Sequence, residues 1–406
     1  MADNAVKALI GDILNEIIEE ARDGGGKKTS VGLMAYGSEL GQEELCKGAR
    51  LAQQNDPSVK VFCIGPKLEG YEDLNWIETA ADEHEIAHAM EQALNDGVIA
   101  GAVALHYPFP VGVTTIGKVF TPGKGKPCFI ASSTGTSSPV RTEAMLRNAI
   151  YGISVAKAAG VPNPKVGILN LDGAQTVLRA LQKLKDNGYN IEFAESIRKD
   201  GGAIFRGNDL LAGAGDVCVT DTLTGNVLMK LFGAWTTGGN YEAMGWGYGP
   251  SAGEGWNKVI SIISRASGAP VIASALSLNA AAAKNGLPAI VAKELAAAKA
   301  AGLDELIESM QPKQAAAEED VKAPAAEPTD EEIHGVDVLE IENAVKALWK
   351  AGIYAESSMG CTGPVIKFAN TTRKKSKKSS SRRTTSNIGN KAAQKPAPQG
   401  AGFLLI

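Results

Sequence analysis

Thr29 to Tyr36, Val59 to Ile64 and Ile99 to Leu105 are continuous apolar runs of strand length. Between them, Glu43 to Gln54 and His84 to Leu94 space their apolar residues at helical intervals. A strand buried on both faces reads as an unbroken apolar run, and parallel strands need a crossover helix. The alternation therefore predicts a doubly wound α/β sheet. The pattern continues downstream. Cys128 to Ala131, Lys165 to Leu171, Ile191 to Ala194 and Asp216 to Asp221 read as further strands. Helices are predicted over Arg141 to Ala159, Thr176 to Asn187 and Val227 to Trp235, with alanine-rich helices after Ala273. In such sheets ligands collect at the carboxyl ends of the strands.

Composition sets the domain boundaries. Residues 1–28 form an N-terminal helix and loop, because Ala5 to Glu20 is acidic and amphipathic and lacks the character of a signal peptide. Residues 29–310 are the α/β domain, 311–335 an Ala/Pro/Glu linker and 336–369 a C-terminal unit. Residues 370–406 have a basic opening and neither helical nor strand period, so they are predicted to be disordered. At 406 residues the chain can bury one large or two ordinary cores. A net charge of -4 implies no particular partner, and the basic tail has no motif to support nucleic-acid binding. No apolar run is long enough to span a bilayer.

Two hydroxyl-rich stretches are candidate anion sites. Ser132, Ser133, Thr134, Gly135, Thr136, Ser137 and Ser138 read as a loop running into a helix. Small side chains let backbone amides approach an anion, hydroxyls add donors, and a helix N-terminus adds a favourable dipole. The same residues also suit an ordinary helix cap with a polar lead-in. Asp221, Thr224, Gly225 and Asn226 stand at the end of a predicted strand, where they could bind phosphate oxygens or orient a thioester carbonyl. Capping by Asn226 or Thr224 accounts for them equally. The Gly- and aromatic-rich stretch from Thr237 to Gly255 reads as a long loop, and long loops in compact domains are often functional.

The cysteines are five in number, widely spaced and without metal-ligand or redox spacing, which fits a reducing cytosol. Cys63, Cys128 and Cys218 lie in apolar strands, and Cys46 in a helix. Cys361 differs. It follows Gly360 in a turn between two short strand-like segments, where local dipoles and open access suit a nucleophilic or acyl-carrying thiol. A small turn residue without chemistry is the alternative.

The segment Val31 to Ala49, the strand Val166 to Asn170 and the run Asp216 to Lys230 with its Asp-Thr-Leu-Thr-Gly-Asn together resemble the phosphate acyltransferases of fatty-acid synthesis. The added Glu356-Ser-Ser-Met-Gly-Cys-Thr-Gly-Pro364 resembles the alpha subunits of component C of the glycine/sarcosine/betaine reductase complexes, over nearly the whole chain. This resemblance implies a three-layer α/β/α fold shared with phosphotransacetylases and isocitrate/isopropylmalate dehydrogenases. It implies Cys361 as the acyl thiol, inorganic phosphate as co-substrate, no other cofactor and no metal. It further implies two partners, a ketoacyl-synthase-like beta subunit and a selenoprotein component carrying a carboxymethyl group, in the cytoplasm. After about Phe368 the chain departs from that pattern, with a basic tail where the family implies another helix and strand.

Three functions compete on this reading. One is an acyltransferase subunit of an amino-acid reductase complex that forms acetyl phosphate from an enzyme-bound thioester. Another is a phosphate acyltransferase acting on acyl-carrier-protein thioesters, with Cys361 structural. The third is a non-catalytic subunit that docks a ketoacyl-synthase-like partner. Kinship of fold with dehydrogenases implies no hydride chemistry.

Overall fold

The computed structural model describes residues 28–198, 201–311, 321–329, 331–333, 336, 341–360 and 363–369. The predicted N-terminal helix, Cys361 with Thr362, and the basic tail lie outside the described residues. The chain divides into two compact units.

The larger unit begins with β1 (Thr29–Met34), α1 (Gln42–Asn55), β2 (Val59–Gly65), β3 (Asn75–Glu78), α2 (Glu83–Asn95) and β4 (Gly101–Ala104). It continues through β5 (Val113–Phe120), β6 (Pro127–Gly135), α3 (Arg141–Ala158), β7 (Lys165–Leu169) and α4 (Ala174–Asp186). Then come β8 (Glu192–Phe193), β9 (Ile204–Phe205), α5 (Gly207–Leu211), β10 (Val217–Val219) and α6 (Thr222–Ala234). It ends with β11 (Gly249–Gly253), β12 (Ile260–Ile262), α7 (Ala269–Lys284), α8 (Leu287–Ala300) and α9 (Leu303–Met310).

One sheet of 12 strands runs through this unit in the order β3-β2-β1-β4-β12-β11-β5-β6-β10-β7-β8, with β9 also on β7. Its left block, β3 to β12, is parallel. Its right block, β6 to β8, is parallel as well. The junctions β12–β11, β11–β5 and β5–β6 are antiparallel, so the two blocks run in opposite directions. The sheet is thus mixed, where the apolar runs alone suggested a parallel one.

Successive residues of a strand face opposite sides of a sheet, and the cores follow that alternation. Met34, Ala102, Ile130 and Cys218 join one cluster, which also takes Ile86 and Met90 of α2 and Met229 of α6. Their neighbours turn the other way. Leu33 and Val103 pack with Leu45 of α1 and Leu276 of α7. Phe129 and Val217 pack with Leu146 of α3, Leu181 of α4 and Leu295 of α8. One apolar layer therefore spans both blocks on one face, and two lie side by side on the other. This is the three-layer α/β/α arrangement, in an α/β fold.

Two predicted loops contain strand. Ser132 to Gly135 belong to β6; Thr134 and Gly135 pair with Thr115 and Thr114 of β5, and Ser132 and Ser133 fall in the irregularity where the register shifts between Thr115 and Ile116. Gly249 to Gly253, inside the predicted long loop, form β11. The residues Thr222 to Asn226, which precede the helix predicted from Val227, are the first residues of α6.

The smaller unit holds β13 (Glu331–Ile333), α10 (Ile341–Lys350), the first half of β14 (Ala355–Gly360) and all of β15 (Gly363–Phe368) but its first residue, with the strands ordered β13-β15-β14. Ile341 and Val345 of α10 meet Ala355 and Ile366 in a small core. Glu331 to Ile333, assigned to the linker from composition, pair antiparallel with β15 instead. Glu332 and Lys367, opposite each other in that ladder, also form an ion pair.

Candidate functional site

The segments leaving β4 and β12 at their carboxyl ends meet the end of β6 and one face of α6, and a cleft opens between them. His106, Thr134, Asn226, Lys230, Tyr248 and Arg265 line it, and its free volume is about 320 Å3. Leu105, Phe109, Ile262 and Ile263 supply an apolar wall. Asn226 and Lys230 share a face of α6 because they are four residues apart. The Asn226 amide donates to the Ser133 carbonyl at 3.0 Å, which holds it at the end of β6. Lys230 Nζ donates to the Tyr248 hydroxyl at 2.9 Å. Arg265, at the rim, pairs with Glu83 at 3.1 Å. Cations, donors, apolar side chains and the carboxylate of Glu39 thus line one cleft, and mostly apolar walls with a few placed polar groups are a common plan for small-molecule sites.

The predicted phosphate loop is divided by the structure. Thr134 and Gly135 line the cleft. Ser132 and Ser133 are fully buried. The Ser132 hydroxyl pairs with that of Thr222 at 2.8 Å, and the Ser133 hydroxyl donates to the Tyr248 carbonyl at 2.6 Å. Thr136 exchanges backbone hydrogen bonds with Gly112 and Val113. Ser137 and Ser138 line a different depression of about 490 Å3, together with Glu143, Arg147, Tyr151 and Trp256. The Phe109 ring of the first cleft stands 6.0 Å from the Trp256 ring of the second, so aromatic side chains separate them.

The second predicted cluster is divided too. Asp221 is the N-cap of α6, accepting from the Thr224 N–H and the Thr224 hydroxyl, both at 2.9 Å. Arg141 donates to the same carboxylate at 2.9 Å. Burial pushes the Asp221 pKa up, but the Thr224 and Arg141 bonds outweigh it and hold the carboxyl below its usual range. The cap is therefore Asp221, not Asn226 or Thr224. Gly225 faces the Ser132 carbonyl so closely that a side chain would overlap it. Of this cluster only Asn226 reaches the cleft.

Sequence reasoning passed over Lys230, Tyr248, His106 and Arg265. For Lys230 a signal existed, since a helix that presents Asn226 presents the residue four places on. For Tyr248 the signal was its stretch, an aromatic run flagged for length alone.

Cys46, Cys63, Cys128 and Cys218 are all buried, the last three as the apolar strands around them predict. Burial pushes the Cys218 thiol up to about 12 and raises that of Cys128. Among the described residues no helix is long and apolar enough to cross a membrane. Nor does any group of His, Cys, Asp and Glu among them suit a metal ion.

The larger unit is a doubly wound α/β fold, and comparison with known proteins gives the family. The chain belongs to the fatty acid synthesis protein family, whose model matches residues 29–367. It is 52% identical over 364 residues to the glycine/sarcosine/betaine reductase complex component C subunit alpha of Peptoclostridium acidaminophilum, covering 89% of this chain and 94% of that one. It is 26% identical over 237 residues to the phosphate acyltransferase of Thermotoga petrophila, covering 50% of this chain and 67% of the relative. Among solved structures, a branched-chain phosphotransacylase from Enterococcus faecalis matches 63% of this chain and 99% of its own at 14% identity, with a TM-score of 0.45.

Proposed function

We propose that this chain is the acyl-transferring subunit of an amino-acid reductase complex and forms acetyl phosphate by phosphorolysis of an enzyme-bound acetyl thioester. The observation that carries this reading is the cleft itself, lined by Lys230, Asn226 and Thr134 together with the apolar Leu105, Phe109, Ile262 and Ile263. Kinship with a reductase subunit and with phosphate acyltransferases supports it.

In the proposed reaction a phosphate oxygen attacks the thioester carbonyl carbon. The C–S bond then breaks, and the phosphate proton ends on the departing sulfur. Lys230 balances phosphate charge, and the Asn226 side of the cleft orients the anion. Catalysis is mainly positioning, with donors placed for the developing oxyanion. Cys361 is the proposed acyl-bearing thiol, since a thiolate accepts an acyl group and is a better leaving group than an alkoxide. Inorganic phosphate is the only co-substrate, and the reaction needs no further cofactor. The proposed partners are a ketoacyl-synthase-like beta subunit and a selenoprotein that supplies the carboxymethyl group, in the cytoplasm.

The test is incubation of the purified chain with an acetyl thioester and phosphate, with acetyl phosphate trapped as its hydroxamate and the acylated peptide mapped by mass. Acetyl phosphate together with a label on Cys361, lost in Cys361→Ala, is expected. Full turnover by Cys361→Ala on an acyl-carrier-protein thioester would instead favour the phosphate acyltransferase reading. No acyl phosphate from any thioester would defeat both.

A further inference from the structure

Behind the cleft runs a chain of side chains that acyl transfer as described does not use. Lys230 Nζ lies 2.9 Å from the Tyr248 hydroxyl, and that hydroxyl lies 2.8 Å from Glu242 Oε1. The Ser267 hydroxyl donates to Glu242 Oε2 at 3.2 Å. Tyr248 and Glu242 are only 3% and 6% exposed. Both come from the stretch between α6 and β11, and the Tyr248 backbone is fixed from the other side by the Ser133 hydroxyl, which donates to its carbonyl.

Donor arithmetic gives this chain a direction. An ammonium group only donates, so Tyr248 must accept from Lys230. The single phenolic hydrogen is then free to go to Glu242, which accepts it as a carboxylate. A protonated or amide Glu242 could still accept that hydrogen through its carbonyl oxygen, but it would lack the negative charge that opposes Lys230. Burial raises the Glu242 pKa above its usual value, and the Tyr248 bond, the Lys230 charge and the Ser267 and Ser264 bonds, which favour the anion, offset only part of that rise. Lys230 is the charged group that faces this carboxyl. With one N–H directed at Tyr248, the ammonium keeps two for an anion in the cleft.

We infer that Glu242 is a positioning residue for Lys230, acting through the Tyr248 hydroxyl, and that this relay sets how tightly the cleft holds phosphate. The inference rests on the reading of the cleft as a phosphate site. Buried carboxylates usually have a partner. Here the partner is a lysine one hydroxyl away, so the charge of Glu242 is transmitted to the cleft without Glu242 lining it.

The test is phosphate titration of the full chain, by calorimetry and by the phosphate dependence of acyl phosphate formation, with a double-mutant cycle. Lys230→Met, Glu242→Gln and Tyr248→Phe are each expected to raise the half-saturating phosphate about tenfold, the loss of one hydrogen bond to a charged group. In the Lys230→Met background, Glu242→Gln is expected to add nothing. If Glu242→Gln weakens phosphate binding equally with and without Lys230, its role is merely structural and the inference falls. It falls too if Lys230→Met weakens binding and neither Glu242→Gln nor Tyr248→Phe does. Unchanged phosphate binding in Lys230→Met would overturn the phosphate reading itself, and the relay with it. Tyr248→Phe keeps the ring and removes only the hydroxyl, so it decides the matter if Glu242→Gln does not fold.

Discussion

Gly225, in the first turn of α6, rests against the carbonyl oxygen of Ser132 in β6 with no room for a β-carbon between them. That approach lets the Asn226 amide reach the Ser133 carbonyl one residue along each element. Gly225→Ala should therefore push the helix from the strand. The expected cost is about 1–3 kcal/mol, as for other overpacked sites. It should appear as a lower urea midpoint with an unchanged slope. An unchanged midpoint would show that the contact yields easily.

Thr134 and Ser133 are neighbours with different jobs. Thr134 lines the cleft, whereas Ser133 is buried and ties β6 to Tyr248. Thr134→Val should raise the half-saturating phosphate severalfold while the thermal midpoint stays put. Ser133→Ala should lower stability by roughly 1–2 kcal/mol, through an unmatched buried carbonyl. A reversed pattern would put Ser133 in the site and Thr134 in the scaffold.

Asp221 gives stability a dependence on acid. Its folded pKa lies below the ordinary value, because bonds from Thr224 and Arg141 outweigh burial. Such a group contributes fully above the unfolded carboxylate pKa of about 3.9 and loses its contribution as pH falls through the lower folded value. Asp221→Ala should thus cost about 1 kcal/mol at pH 7, the usual worth of an N-cap. The gap to the parent should narrow below pH ~4. Urea midpoints at both pH values check it, and a gap independent of pH would mean that charge has no part in the cap.

The proposed acyl thiol, Cys361, can be tested against the four buried cysteines. Cys46, Cys63, Cys128 and Cys218 are each no more than 1% exposed. The Cys46 pKa is lowered, chiefly by its bond with Cys63, yet access still limits its reaction. A thiol reagent should therefore modify Cys361 first in the native chain, with the others following only in denaturant. Cys361→Ala should show almost no rapid labelling. Rapid native labelling elsewhere would undercut the assignment of the acyl thiol.

How legible these features were in the sequence depends on what each residue's signal reports. The apolar runs of β1, β2, β6 and β10 show burial directly, so they and their crossover helices could be read. The strand β11, Gly-Pro-Ser-Ala-Gly, has no branched or aromatic residue and looks like a turn. It is a strand because its neighbours leave no space: a side chain on Gly249 would strike the Ile116 carbonyl. Here tertiary contact overrides propensity. The site was legible only in part for a similar reason. Asn226 announced itself through its motif, but a lysine on a helix reads as an ordinary solvated charge until Tyr248 arrives from elsewhere in the chain. The hydroxyl run from Ser132 to Ser138 looked like one loop because sequence does not reveal which residues a strand will bury.

The opposed blocks of the sheet also constrain the order in which the chain can be completed during synthesis. The left block begins with β1 to β4, yet its last strand, β12, and the helix that covers it, α7, follow the whole of β5 to β11. Leu33 and Val103 share a core with Leu276, which the ribosome makes far later. Residues 29–104 thus emerge with one face open and one edge unpaired, and they wait for a long stretch of chain before either is closed. Exposed strand edges and apolar faces are where nascent chains aggregate. The strands of the right block, β6 to β10, are nearly continuous in sequence, but their core also takes Leu295 of α8, which is made after α7. Chain segments that end after β4 should consequently be insoluble, and neither block is closed until the helices after β12 have been made.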